Sequence, residues 1–180
     1  MKHVIAFLVS GALMLGITTA HAQGASEGPL YFMVKGGIMD PDIRGFDNAT
    51  NVGAGIGYDL YADRMGRWSV EAEFTTTVSD GDLNGGGDWD AETFAVFGTY
   101  RGPTLDPGSL YFKGKVGFLN QDIKRAGGDP TLTIPNADDG GAAFGVGAGW
   151  RMDRAAALEL EYTLMSGELN FFSLGYLRYF

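Results

Sequence analysis

Two pairs of carboxylates stand two residues apart, Glu71-x-Glu73 and Glu159-x-Glu161. Paired acids are the working groups of glycosidases, one protonating the leaving oxygen while the other attacks or activates water. A spacing of two, however, sets both members of a pair on one face of an extended strand. There they meet Lys or Arg from neighbouring strands, so an ion-pair network is the expected role and catalysis is not. Asp80-x-Asp82-x-Asn84-Gly85 opens like an EF-hand calcium loop, but Ala91 holds the twelfth position, Glu92 comes one residue late, and no helices flank it. It reads as an ordinary Asp/Gly-rich loop, and no metal or cofactor is expected. Gly53-x-Gly55-x-Gly57 and Gly145-x-Gly147-x-Gly149 lack the dinucleotide-binding spacing and lie within strand patterns, where they act as spacers.

The rest of the catalytic repertoire is thin. The chain has no Cys, and its two His, His3 and His21, both fall in an amino-terminal segment with the marks of a secretory leader. Lys2 and His3 precede the apolar run Val4 to Ile17, and Ala20-His21-Ala22 supplies a small-x-small cleavage site. The expected division is therefore a cleaved leader over 1–22 and one domain over 23–180. That domain has neither the usual general base nor a thiolate nucleophile. The apolar run of the leader is too short to span a bilayer, and no other long apolar run follows, so no transmembrane helix is expected.

The elements that carry the acid pairs alternate with period two. Val52, Ala54, Ile56, Tyr58 and Leu60 oppose Gly53, Gly55, Gly57 and Asp59, and Trp68, Val70, Ala72 and Phe74 oppose Ser69, Glu71, Glu73 and Thr75. The same alternation runs through 30–38, 94–101, 110–118, 144–151, 158–164 and 170–180, making eight strands. Long connections (Met39 to Asn51, Ser79 to Asp90, Asn120 to Gly141) alternate with shorter ones (Ala62 to Gly66, Gly102 to Gly108, Met152 to Ala156). Only Ser166 to Asn170 breaks the pattern. Long loops on one side and short turns on the other suit an all-β, eight-stranded antiparallel up-and-down transmembrane β-barrel, with its short turns in the periplasm.

Aromatic placement agrees. On the apolar face, Tyr58, Trp68, Tyr100, Phe112, Trp150, Tyr176 and Phe180 lie near the short turns, and Phe74, Phe94, Phe118, Phe144 and Phe172 lie near the long loops. Two such bands mark the two interfaces of a membrane. The opposite face gives Lys35, Arg101, Lys113, Lys115 and Arg151 against Asp59, Glu71, Glu73, Glu159 and Glu161, five cations and five acids. Enclosed charges must be paired, and an eight-stranded barrel is just wide enough for side chains to fill. A neutral plug is expected, with Arg151 and Glu159 placed to meet across one short turn.

Without the leader the chain carries 12 Lys+Arg and 22 Asp+Glu, and most of the net charge falls in the long loops, at Asp40, Asp42, Asp47, Asp80, Asp82, Asp88, Asp90, Asp122, Asp129, Asp138, Asp139 and Glu168. Phosphate binding needs basic clusters, so no nucleic-acid partner is expected. The expected surroundings are outer-membrane lipid and lipopolysaccharide, met by a monomer.

The leader, the eight alternating strands, the Gly-x-Gly-x-Gly faces and the ending Ser173-Leu174-Gly175-Tyr176-Leu177-Arg178-Tyr179-Phe180 resemble the small outer-membrane β-barrel superfamily. That group includes the transmembrane domain of outer-membrane protein A, outer-membrane protein X and the opacity-type surface proteins. The resemblance implies that Phe172, Leu174, Tyr176 and Phe180 form the signal read by the barrel-assembly machinery; Arg178 departs from the pattern, which more often has an aromatic there. It also brings in outer-membrane enzymes, namely lipid A deacylases, palmitoyltransferases and omptin proteases, all of which use a histidine that residues 23–180 lack. The expected function is a non-enzymatic structural barrel with acidic surface loops and a plugged lumen. A narrow channel and a surface adhesin are the alternatives.

Overall fold

In the computed structural model of the protein, residues 28–41, 45–103, 106–127, 138–165 and 169–180 are described. The leader expected over 1–22 and the loop charges Asp42, Arg44, Asp129 and Glu168 lie outside them. Nine strands follow in order: β1 Leu30–Pro41, β2 Ala49–Ala62, β3 Arg67–Ser79, the two-residue β4 Gly81–Asp82, β5 Gly87–Gly102, β6 Leu110–Gly127, β7 Asp138–Arg151, β8 Ala156–Met165 and β9 Leu169–Tyr179. All pairings are antiparallel, each long strand pairs with its neighbours, and β1 pairs with β9, so eight strands form a closed barrel while β4 extends the edge of β5. No helix occurs among the described residues.

The stagger of the barrel can be read from its register. Stepping across paired residues from Leu30 through Tyr58, Val70, Gly98, Val116, Phe144, Leu164 and Asn170 returns to β1 at Asp40, ten positions from the start. With ~3.3 Å rise and ~4.8 Å between strands, eight strands staggered by ten tilt by about 40°. Each strand therefore carries alternate residues into the lumen at successive heights, and charges far apart in sequence become neighbours.

Period two holds on the walls. Tyr58, Trp68, Phe112, Trp150 and Phe180 near one rim, and Phe74, Phe94, Phe118, Phe144 and Phe172 near the other, are exposed on the outer face, with Tyr100 and Tyr176 half-buried there. A soluble sandwich would turn this face inward; here it is the outside of a closed sheet.

The strands overrun the expected connections. β5 begins at Gly87 and β6 continues to Gly127, so Gly87 to Asp90 and Asn120 to Gly127 are ladder rather than loop, as are residues 138–141 of β7. These stretches leave the apolar belt, so alternation fades in the sequence while backbone hydrogen bonding carries on. Much of the expected difference between long and short connections is strand standing proud of the belt.

Candidate functional site

The lumen is built from inward residues of all eight long strands. The Glu pairs sit on β3 and β8, which face each other across the barrel, and the cations come from β1 and from the adjacent β5 and β6. Lys35 Nζ lies 2.6 Å from Glu73 and 3.6 Å from Glu161. Lys115 bridges the same two acids at 3.0 and 2.8 Å. One level nearer the short turns, Lys113 reaches Glu71 at 3.2 Å, Glu159 at 2.8 Å and Glu161 at 2.5 Å. Arg101 pairs with Glu71 through Nη2 and with Glu159 through Nε at 2.6 Å. Four cations thus match four carboxylates, all eight are buried, and every carboxylate touches at least two cations.

Two tyrosines complete the acids' hydrogen bonding. Tyr31 donates to Glu71 at 2.7 Å and accepts from Arg101 at 2.8 Å, while Tyr111 donates to Glu159 at 2.6 Å. Each ring lies against the glycine opposite it, Tyr31 on Gly57 and Tyr111 on Gly149. A Cβ at those glycines would stand 2.2 Å from Tyr31 Cζ and 2.1 Å from Tyr111 Cζ. The other inward glycines are spacers as expected: a Cβ at Gly145 would meet the Lys115 stem at 2.7 Å, and one at Gly53 would meet Lys35 Cγ at 3.3 Å.

The other two of the ten expected lumen charges, Asp59 and Arg151, lie apart from this cluster. Asp59 is held by Arg67 at 2.9 Å and by the Ser69 hydroxyl at 2.8 Å, near the rim of the short turns. Arg151, expected to meet Glu159, pairs in register with Ala157, whereas Glu159 pairs with Gly149. Its guanidinium instead donates to the carbonyls of Asp153, at 2.9 Å, and Arg154. It also stacks on Tyr179, whose ring centroid lies 4.8 Å from Arg151 Cζ and 4.9 Å from Arg67 Cζ. Arg67 escaped the sequence reading because it opens its strand beside a turn. Arg67, Arg151 and Tyr179 form the floor of the lumen.

At the other end, Met39, Phe46, Leu83, Trp89, Ile123, Leu169 and Phe171 pack into a buried apolar roof. Phe46 bridges Leu83, and Trp89 Nε1 donates to the Asp47 carbonyl at 2.8 Å, tying the β1–β2 connection to the stretch around β4. Among the described residues, no group of acids, His or Cys is arranged to hold a metal ion, and Asp82 of the suspected calcium loop lies in β4 opposite Asp88.

A family model for the outer membrane protein β-barrel domain matches residues 10–175. The chain belongs to that family. Membership places it in the outer membrane, as expected. Solved barrels of the same fold include the N-terminal domain of OprF from Pseudomonas aeruginosa, at TM-score 0.54 and 14% identity over 86% of this chain and 100% of that one. OprG from the same organism aligns at TM-score 0.52 and 16% identity over 85% and 97%. The outer membrane enzyme PagL aligns at TM-score 0.52 and 13% identity over 82% and 98%. No protein of curated function is similar in sequence. The fold carries an enzyme as well as other barrels, so activity is a matter of residues and not of the barrel.

Proposed function

We propose that the protein is a non-catalytic structural barrel of the outer membrane whose lumen is sealed against solutes. The observation that carries this reading is the four-by-four ion network, buried between the Arg67–Tyr179–Arg151 floor and the Trp89–Phe46 roof. A conducting path needs hydrated groups that can exchange partners, whereas each acid here is buried and held by two or more cations. The same pairing ties every one of these carboxylates to cations and turns none of them toward a substrate.

The reading includes export by the leader, assembly through Phe172, Leu174 and Tyr176 of β9 with Phe180 just beyond it, a monomeric state, and contacts with outer-membrane lipid and lipopolysaccharide. Planar-bilayer recording of the purified barrel tests the seal. Only rare, brief currents are expected, and steady conductance on the nanosiemens scale would overturn it in favour of a channel.

A further inference from the structure

The first short turn is entered through a β-bulge. The β2–β3 register slips between Asp59 and Tyr61, a bulge that brings Tyr61 opposite the outward Trp68. Bulges re-aim side chains, and this one places two consecutive residues, Leu60 and Tyr61, on the outer face. They are 65% and 59% exposed, and Met65 at the tip of the turn is 72% exposed. The turn is rigid: Asp63 accepts from the Met65 and Gly66 amides at 2.8 and 3.1 Å and donates its own amide to the Gly66 carbonyl at 2.9 Å. It is also clasped to the outer wall, for the outward Tyr100 hydroxyl donates to the Met65 carbonyl at 2.7 Å. Two glycines permit the clasp, since a Cβ at Gly102 would stand 2.4 Å from the Met65 carbonyl oxygen and one at Gly66 2.9 Å from the Tyr100 ring.

We propose that Leu60, Tyr61 and Met65, with Arg64 beside them, form a foot that inserts into the headgroup zone of the periplasmic phospholipid leaflet. The proposal rests on the reading that the barrel spans the outer membrane with its short turns in the periplasm. The apolar surface of the foot is continuous with the belt through Trp68 and Tyr100, whose rings lie 4.8 Å apart. Aromatic and thioether side chains at that depth partition favourably into the interface, and Arg64, exposed at the tip, supplies a cation for anionic headgroups. The foot anchors the barrel at the β2–β3 turn.

The native chain has no Cys, so single probes are clean. An environment-sensitive fluorophore is attached to Met65→Cys, with Val146→Cys on the lipid-facing wall and Pro107→Cys on the second short turn as references. The proteins are refolded into phosphatidylcholine vesicles with and without phosphatidylglycerol, and folding is checked by heat-modifiable gel mobility. The expected Met65 signal is blue-shifted, quenched by headgroup-proximal brominated lipid and protected from iodide, with a larger shift when phosphatidylglycerol is present that Arg64→Gln abolishes. Tyr100→Phe moves the signal toward that of Pro107. A Met65 probe as open to iodide as Pro107, beside a Val146 probe in lipid, overturns the foot alone. A Val146 probe in water overturns the membrane placement and the foot with it.

Discussion

Arg101 on β5 donates from Nε to Glu159 on β8 at 2.6 Å, so one guanidinium ties together strands that β6 and β7 separate in the sheet. The same side chain holds Glu71 on β3. Arg101→Met removes the link and leaves two buried carboxylates undercompensated, a loss of about 3–5 kcal/mol by analogy with other broken buried pairs. Arg101→Met combined with Glu159→Met should lose less than the sum of the two single changes, because the second substitution removes a charge the first has left short of a cation. Urea titration of the refolded barrel, read by heat-modifiable mobility, measures all three; strict additivity would contradict the coupling.

Gly57 and Tyr31 make a second test, of shape rather than charge. With Tyr31 Cζ only 2.2 Å from a Cβ on Gly57, Gly57→Ala pushes the ring off its glycine and loosens its bond to Glu71. Overpacking of this kind costs about 1–3 kcal/mol. In a Tyr31→Leu background the space is no longer contested, and Gly57→Ala should then cost less than half as much. The matching pair Gly149 and Tyr111 should respond in the same way, and equal costs in both backgrounds would remove the ring contact as the cause.

How far such relationships can be read from sequence depends on where the residue lies. Glu71, Glu73, Glu159, Glu161, Lys113 and Lys115 stand at alternate positions beside lipid-facing residues, so periodicity alone turns them inward. Their pairing needs the ten-residue stagger, a property of closure that no single strand displays. Tyr31 and Tyr111 alternate correctly but look like ordinary strand aromatics until the glycine opposite each is known. Trp89 and Phe46 lie beyond the belt, where neither face repeats, and read as loop residues although they roof the lumen. Arg151 and Glu159 flank one turn and so look paired in the sequence, whereas the register sets Ala157 opposite Arg151 and turn carbonyls accept from its guanidinium.

Trp89 tests the division of labour between roof and ion layer. It is fully buried, packs edge-on against Phe46 at 6.1 Å between centroids, and donates to the Asp47 carbonyl. Trp89→Ala should destabilise the barrel by about 3–5 kcal/mol, as truncation of large core aromatics does. Conductance should nevertheless stay at the wild-type level, because the charged layer beneath is untouched. A stable channel in this variant would move the seal from the ion network to the roof.

Lys115 and Val116 are chain neighbours with opposite requirements. Lys115 points inward to Glu73 and Glu161, while Val116 is exposed on the outer wall between Phe112 and Phe118. A one-residue slip of β6 would exchange their faces. Val116→Arg therefore places a cation against hydrocarbon near mid-belt and should cost about 2–4 kcal/mol, the range for Arg or Lys at the lipid face of barrels. The penalty should shrink in vesicles of shorter-chain lipid, where the guanidinium reaches the headgroups sooner. Lys115→Met should also destabilise, by leaving Glu73 and Glu161 each one cation short, but equally in thick and thin bilayers, because its surroundings are protein. Urea titrations of both variants in two chain lengths separate these outcomes, and a thickness-dependent penalty for Lys115→Met would place that side chain on the wrong wall.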